Sequence, residues 1–87
     1  LSESSQTHYK LIAQTFLLAL YTIHNQIPSE WTSEAVKDIC SSVLPEQLQK
    51  EILKEAKPVL SHFITVLGEE QMVSNYRSIL LIINNYL

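Results

Sequence analysis

The sequence predicts an all-α fold, a compact bundle of four to five short helices. One Gly and three Pro in 87 residues are too few turn residues for an all-β domain. Apolar residues recur at i, i+3, i+4 and i+7 through most of the chain, the pattern of helices that each bury one stripe. The stretch YKLIAQTFLLALYTIH, Tyr9 to His24, is apolar for longer than any other. It is the expected central helix, with the rest of the chain folding back over it. A chain of 87 residues makes one domain rather than two, so residues 1–87 are read as a single helical domain whose polar start, LSESSQT, frays.

On a helical wheel Tyr9, Ile12, Ala13, Phe16, Leu20 and Ile23 share one face, the core stripe of the first helix. Ser4 or Ser5 can cap its start, and Pro28 ends it near Gln26 by disfavouring helical geometry at the residue before it. Leu11 and Leu18 lie on the opposite face, among Gln14, Thr15 and Thr22. A helix that is apolar on two sides is either sandwiched inside its own bundle or keeps one face for a partner.

A second helix is expected over residues 33–44, with Thr32 as N-cap and Glu34 in the first turn, where the helix dipole favours a carboxylate. Trp31 and Val36 then stand at the hydrophobic-staple spacing, which makes Trp31, Thr32 and Val36 a structural turn. Val36, Ile39, Cys40 and Val43 form the buried stripe. Pro45 suits the first position of a third helix, residues 45–55, in contact with the core through Leu48, Ile52 and Ala56. Glu46–Lys50 and Glu51–Lys54 stand at pairing distance on its outer side. Pro58 starts a fourth helix or kinks a continuous one. Val59, Leu60, Phe63, Ile64 and Leu67 give that helix its stripe, and Gly68 is its candidate C-cap near Glu70. Ser74 or Asn75 caps a last helix that runs to Tyr86. Its face of Tyr76, Ile79, Leu80, Ile83 and Tyr86 is expected to pack on the first helix, leaving Leu81 and Ile82 outside.

Charge and chemistry narrow the function classes. Charged residues are 17% of the chain, below the usual ~25%, so uncharged or apolar surface is left over. Net charge is −3. Lys50, Lys54 and Lys57 make a short basic stripe, but Glu46, Glu51 and Glu55 crowd it and oppose phosphate contact, so nucleic acid is not the expected partner. The longest unbroken apolar run, Phe16 to Tyr21, is short of the ~18–20 residues that span a bilayer. A lone cysteine, Cys40, cannot form an internal disulfide and fits a cytoplasmic setting. It lies within an apolar stripe with no basic neighbour to favour a thiolate. His8 and His24 are 16 residues apart, about 160° round a helix, and cannot share a ligand. His62 has no metal-binding neighbour on its own helix. Glu34/Asp38 and Glu69–Glu70 fall on solvated faces, whereas acid–base work needs burial. No catalytic, cofactor or metal residue is expected.

The segments IAQTFLLALY, PSEWTSEAV, VLP, KPVLSHFITVL and SNYRSI together resemble a small helical segment of uncharacterised bacterial proteins, which is found alone or beside a SEC-C-type metal-binding motif. The resemblance covers most of residues 9–80. It implies a helical fold and a bacterial cytoplasmic setting, and it brings no catalytic residue. The SEC-C cysteines are absent here, so nothing about metal carries over. The position of Gln71 is often Gly in such segments, as suits a helix end.

The expected function is therefore protein–protein interaction or self-association, most simply as a homodimer joined through Leu11, Leu18, Leu81 and Ile82. A small regulatory nucleic-acid-binding domain and a bacteriocin-immunity-like bundle are the alternatives. The second fits the size and class, with no motif to point to it.

Overall fold

The structure is a computed structural model that describes residues 3–87. Its axis is α1 (Glu3–His24). At 1.5 Å per residue that helix is about 33 Å long, as long as the molecule itself, which measures 31 × 26 × 22 Å. A 3-10 turn (Pro28–Glu30) leads to α2 (Ser33–Asp38), a π-helical turn (Ile39–Val43) and α3 (Leu44–Gln47), then α4 (Lys50–Leu53), α5 (Ala56–Glu69) and α6 (Tyr76–Tyr86). Every element among the described residues is helical, and the result is a compact bundle of about five short helices. The helix already runs through Glu3–Thr7, where fraying was expected, and Ser4 and Ser5 lie within it rather than capping it. The expectation for Leu1 and Ser2 lies outside the described residues.

The core forms where α1 meets the π turn, α2 and α5. Ile12, Ala13, Phe16, Ala19 and Leu20 are its buried contribution from α1. Ile23 was expected among them but is exposed. The stripe drifts round a straight helix, and near its C-terminus Ala19 takes the inward position while Ile23 overhangs the core. Asn25 ends the helix with φ 55°, a left-handed position that Asn tolerates. Gln26 then reaches across the connection. Its side-chain oxygen accepts from the Thr32 N–H at 3.3 Å, and its amide donates to Thr32 Oγ1 at 3.4 Å.

From Ser33 to Gln47 the chain is helical throughout, so the boundary expected at Pro45 does not exist. Proline has no N–H to give, and inside an α-helix its ring would strike the carbonyl four residues back. The chain accommodates Pro45 by widening into the π turn just before it, where the Leu44 N–H bonds to the Ile39 carbonyl five residues away. The helix stops at Leu48 instead, which is extended at φ −107°, ψ 138° and drops its side chain into the core. The expected third helix, residues 45–55, is thus two single turns with a break between them. That break puts Glu46 in α3 and Lys50 in α4.

Pro58 lies in the first turn of α5, where a missing N–H costs nothing; it starts the helix rather than kinking one. Gly68 is not the C-cap. It is inside α5, and a Cβ there would lie 2.2 Å from Tyr76 Cγ: the glycine lets the Tyr76 ring lie against the helix backbone. The cap is Gln71, at φ 61°. The Met72 N–H bonds to Leu67 O at 2.9 Å and the Gln71 N–H to Gly68 O at 3.1 Å, the two bonds of a Schellman motif. Finally, α6 packs on α5 and α2, not on α1 as expected. Ile79 and Ile83 are its buried residues, while Tyr86, placed on the same face by the wheel, is exposed with the Lys37 ammonium 5.1 Å from its ring centre.

Candidate interaction surface

The connection between α1 and α2 is held from several sides. Thr32 Oγ1 accepts from the Ala35 N–H at 3.2 Å, as an N-cap does. Trp31 is 3% exposed and shares the core with Val36. Its ring meets Phe16 edge to face, 5.3 Å between centroids. The Trp31 carbonyl accepts from Asn75 Nδ2 at 2.9 Å. Asn75 therefore ties the α5–α6 connection to this turn instead of capping α6, where its side chain makes no cap bond. The Trp31 indole N–H is buried without a partner. Trp31 and Val36 are thus core residues, and Thr32 is the exposed N-cap of the turn.

Read one helix at a time, the histidines have no partners; the fold supplies them from other helices. His8 Nδ1 donates to Glu55 Oε2 at 2.6 Å, joining α1 to the entry of α5. His24 Nε2 donates to Asp38 Oδ2 at 2.8 Å, joining α1 to α2. Asp38 is thus tied to α1, not left on a purely solvated face. The Tyr9 hydroxyl and His62 Nδ1 lie 2.8 Å apart, with their rings edge to face. Burial pushes the Tyr9 phenol up from its ordinary range. Gln6, Tyr9, Lys10 and His62 line an open hollow of about 350 Å³. Each contact pins α1 to a neighbour. Among the described residues no three His, Cys, Asp or Glu side chains are grouped to hold a metal ion. Cys40 is buried, and burial pushes its thiol up to about 12, far from the thiolate a nucleophile needs.

What remains conspicuous is the outer face of α1. From Leu11 to Ile23 the sequence carries no charged side chain. Four large apolar residues on that stretch are in water: Leu11 at 40% exposure, Leu18 at 61%, Tyr21 at 58% and Ile23 at 55%. The helix is therefore not sandwiched; one flank is core and the other is open. Beside Leu18 the surface dips into a hollow of about 320 Å³ lined by Thr15, Leu18, Ala19, Thr22 and Ile23 of α1, Val43 of the π turn and Gln47 of α3.

The expected interface residues do not come together. Leu11 and Leu18 share this face. Leu81 is exposed, but it sits on α6, whose neighbours are α5, α2 and the π turn. Ile82 is half-buried against the core. Tyr21 and Ile23 belong to the exposed surface and were missed. Ile23 falls on the core side of the wheel, and only its position past the end of the core exposes it. The three lysines do not lie on one helix: Lys50 is in α4, Lys57 in α5 and Lys54 between them. No helix among the described residues is long and apolar enough to cross a membrane. No family model matches the chain, and no curated protein or solved structure does.

Proposed function

We propose that this chain is a non-catalytic protein–protein interaction module that docks a protein through the outer face of α1, in the bacterial cytoplasmic setting its resemblance implies. One observation carries the reading: three large apolar side chains, Leu11, Leu18 and Tyr21, stand in water along a helix face with no charge from Leu11 to Ile23. Monomeric proteins seldom leave a contiguous apolar patch of more than a few hundred Å² uncovered. Depletion of charge with retention of an exposed Tyr is the composition of an interface centre rather than of ordinary surface. The opposite side of the same helix supplies Ile12, Phe16 and Leu20 to the core and is pinned by His8–Glu55 and His24–Asp38. The face is thus presented on a rigid support.

A photo-crosslinking residue at position 18 tests this in the source cell, with position 34, on the exposed outer side of α2, as control. The expected result is a discrete protein adduct from position 18 and none from position 34. Adducts from neither position, or equal smears from both, would rule out a docking face on α1.

A further inference from the structure

We infer that the protein docked on α1 is a second copy of this chain, paired antiparallel about a two-fold axis that passes between Thr15 and Leu18. The inference rests on the docking reading above and names the partner. Leu11, Thr15, Leu18 and Thr22 are spaced four, three and four residues apart. That is the a/d spacing of a coiled-coil seam, with leucine at both d positions and β-branched threonine at both a positions. Leu11, Leu18 and Thr22 are exposed and Thr15 is half-buried, so the strip faces away from the chain's own core.

The strip is complementary to itself. A two-fold axis between Thr15 and Leu18 sets Leu11 opposite Thr22 of the second copy and Thr15 opposite its Leu18. The other two layers repeat these pairs, as an isologous interface requires. Every layer then matches one large side chain with one small one. Parallel pairing would instead stack leucine on leucine and threonine on threonine. No charge lies on the strip to repel its own copy across the axis. Thr22 is also ready for burial: its hydroxyl already donates to the Leu18 carbonyl at 2.7 Å, so covering it strands no donor. Tyr21 extends the contact on one side of the seam. The hollow bounded by Ala19, Val43 and Gln47 takes side chains on the other.

Area sets the strength. The exposed stretch from Leu11 to Thr22 is about 17 Å long, so each copy contributes several hundred Å², below the ~800 Å² per partner of a standard stable interface. The dimer is accordingly weak and reversible.

Sedimentation and disulfide trapping of the whole chain test the pairing. At hundreds of micromolar the parent should approach twice its 10.0 kDa mass. Leu18→Glu should weaken association at least a hundredfold, because it buries two carboxylates near the axis. Leu18 is exposed, so that variant should melt like the parent, which separates lost pairing from lost folding. For orientation, Leu11→Cys mixed with Thr22→Cys should give a disulfide-linked dimer. Leu11→Cys alone should not, since antiparallel pairing holds the two copies of position 11 about 16 Å apart. Self-linking of Leu11→Cys would overturn the antiparallel arrangement. A parent monomeric at hundreds of micromolar, or a dimer untouched by Leu18→Glu, would overturn self-pairing on this face. In the crosslinking experiment a position-18 adduct of about twice the chain's own mass supports self-pairing. A sharp adduct of any other mass refutes it while leaving α1 a docking face, so the two readings fail separately.

Discussion

Gly68→Ala is the most informative single change to the fold, because two effects of opposite sign meet there. Alanine in a helix interior is favoured over glycine by about 1 kcal/mol, and Gly68 lies within α5 with no positive φ to require it. Propensity alone therefore says the variant gains. The structure says otherwise. The added Cβ would lie 2.2 Å from Tyr76 Cγ and 2.5 Å from both Cδ atoms, where carbon atoms need about 3.5–4.0 Å. The ring must retreat by more than an ångström. Those are the ring atoms nearest the backbone, and Tyr76 is the first residue of α6, so the retreat displaces the start of that helix. Overpacking of this kind costs about 1–3 kcal/mol, and with the propensity gain subtracted a net loss of about 1 kcal/mol is expected. For a domain of this size that lowers Tm by roughly 4–8 °C. The sign should reverse once the ring is gone. In a Tyr76→Ala background, Gly68→Ala should stabilise by about 0.5–1 kcal/mol, a coupling that a double-mutant cycle measured by urea denaturation reads directly. Gly68→Ala at or above the parent Tm, or no reversal in the Tyr76→Ala background, would show that ring contact is not why glycine stands there.

Phe16→Ala, which removes a fully buried ring packed on Trp31, should cost about 3–5 kcal/mol in urea unfolding followed by Trp31 emission; an unchanged midpoint would contradict the core assignment. Gln71→Gly should raise stability by about 0.5–1 kcal/mol, because glycine relieves the left-handed position at 71 and returns part of the gain as unfolded-chain freedom; a loss in a thermal melt would count against the Schellman cap. Cys40 should make the fold alkali-sensitive: its thiol keeps its proton up to about 12 when folded and loses it from 9.0 when unfolded, so between those values the unfolded chain binds fewer protons and stability falls as pH rises, by up to about 1.4 kcal/mol per pH unit. The slope of stability against pH from 9 to 11 should be shallower in Cys40→Ala than in the parent, and equal slopes would refute the burial effect.

Where the sequence was legible, one physical rule acted alone. Period 3.6 placed Ile12, Phe16 and Leu20 inside, and Thr32 began α2, because both signals are local. Where it misled, two rules competed. Pro45 read as a helix start, since proline favours the first turn, yet the chain kept the helix and took the strain in a π turn. Gly68 read as a C-cap, since glycine favours left-handed geometry, yet the Tyr76 ring of the next helix needed the space. Leu48 broke the helix with no Gly or Pro to announce it. The pairings His8–Glu55, His24–Asp38 and Tyr9–His62 join residues 47, 14 and 53 apart. No window of sequence contains such pairs, and only the packing of α1 against α2 and α5 creates them.

The surface of α1 shows why an exposed apolar face is harder to read than a core. A core stripe and an interface stripe obey the same period, so the wheel alone could not say whether Leu11 and Leu18 were covered by their own chain. The decisive fact is where the remaining helices go. α6 packs on α5 and α2 instead, and Ile79 and Ile83 are its buried residues. The outer face is then left with Leu, Thr, Gln and Tyr and no charge to hold water. A chain with only 17% charged residues could have placed some of them here. It places Lys10 just before this stretch and the Asp38-paired His24 just after it. That bracketing, polar at both ends and neutral between, leaves no charge to repel a second copy in the proposed pairing. On the proposed pairing two demands on α1 separate: substitutions at Phe16 should act on folding, and substitutions at Leu18 on association with folding unchanged.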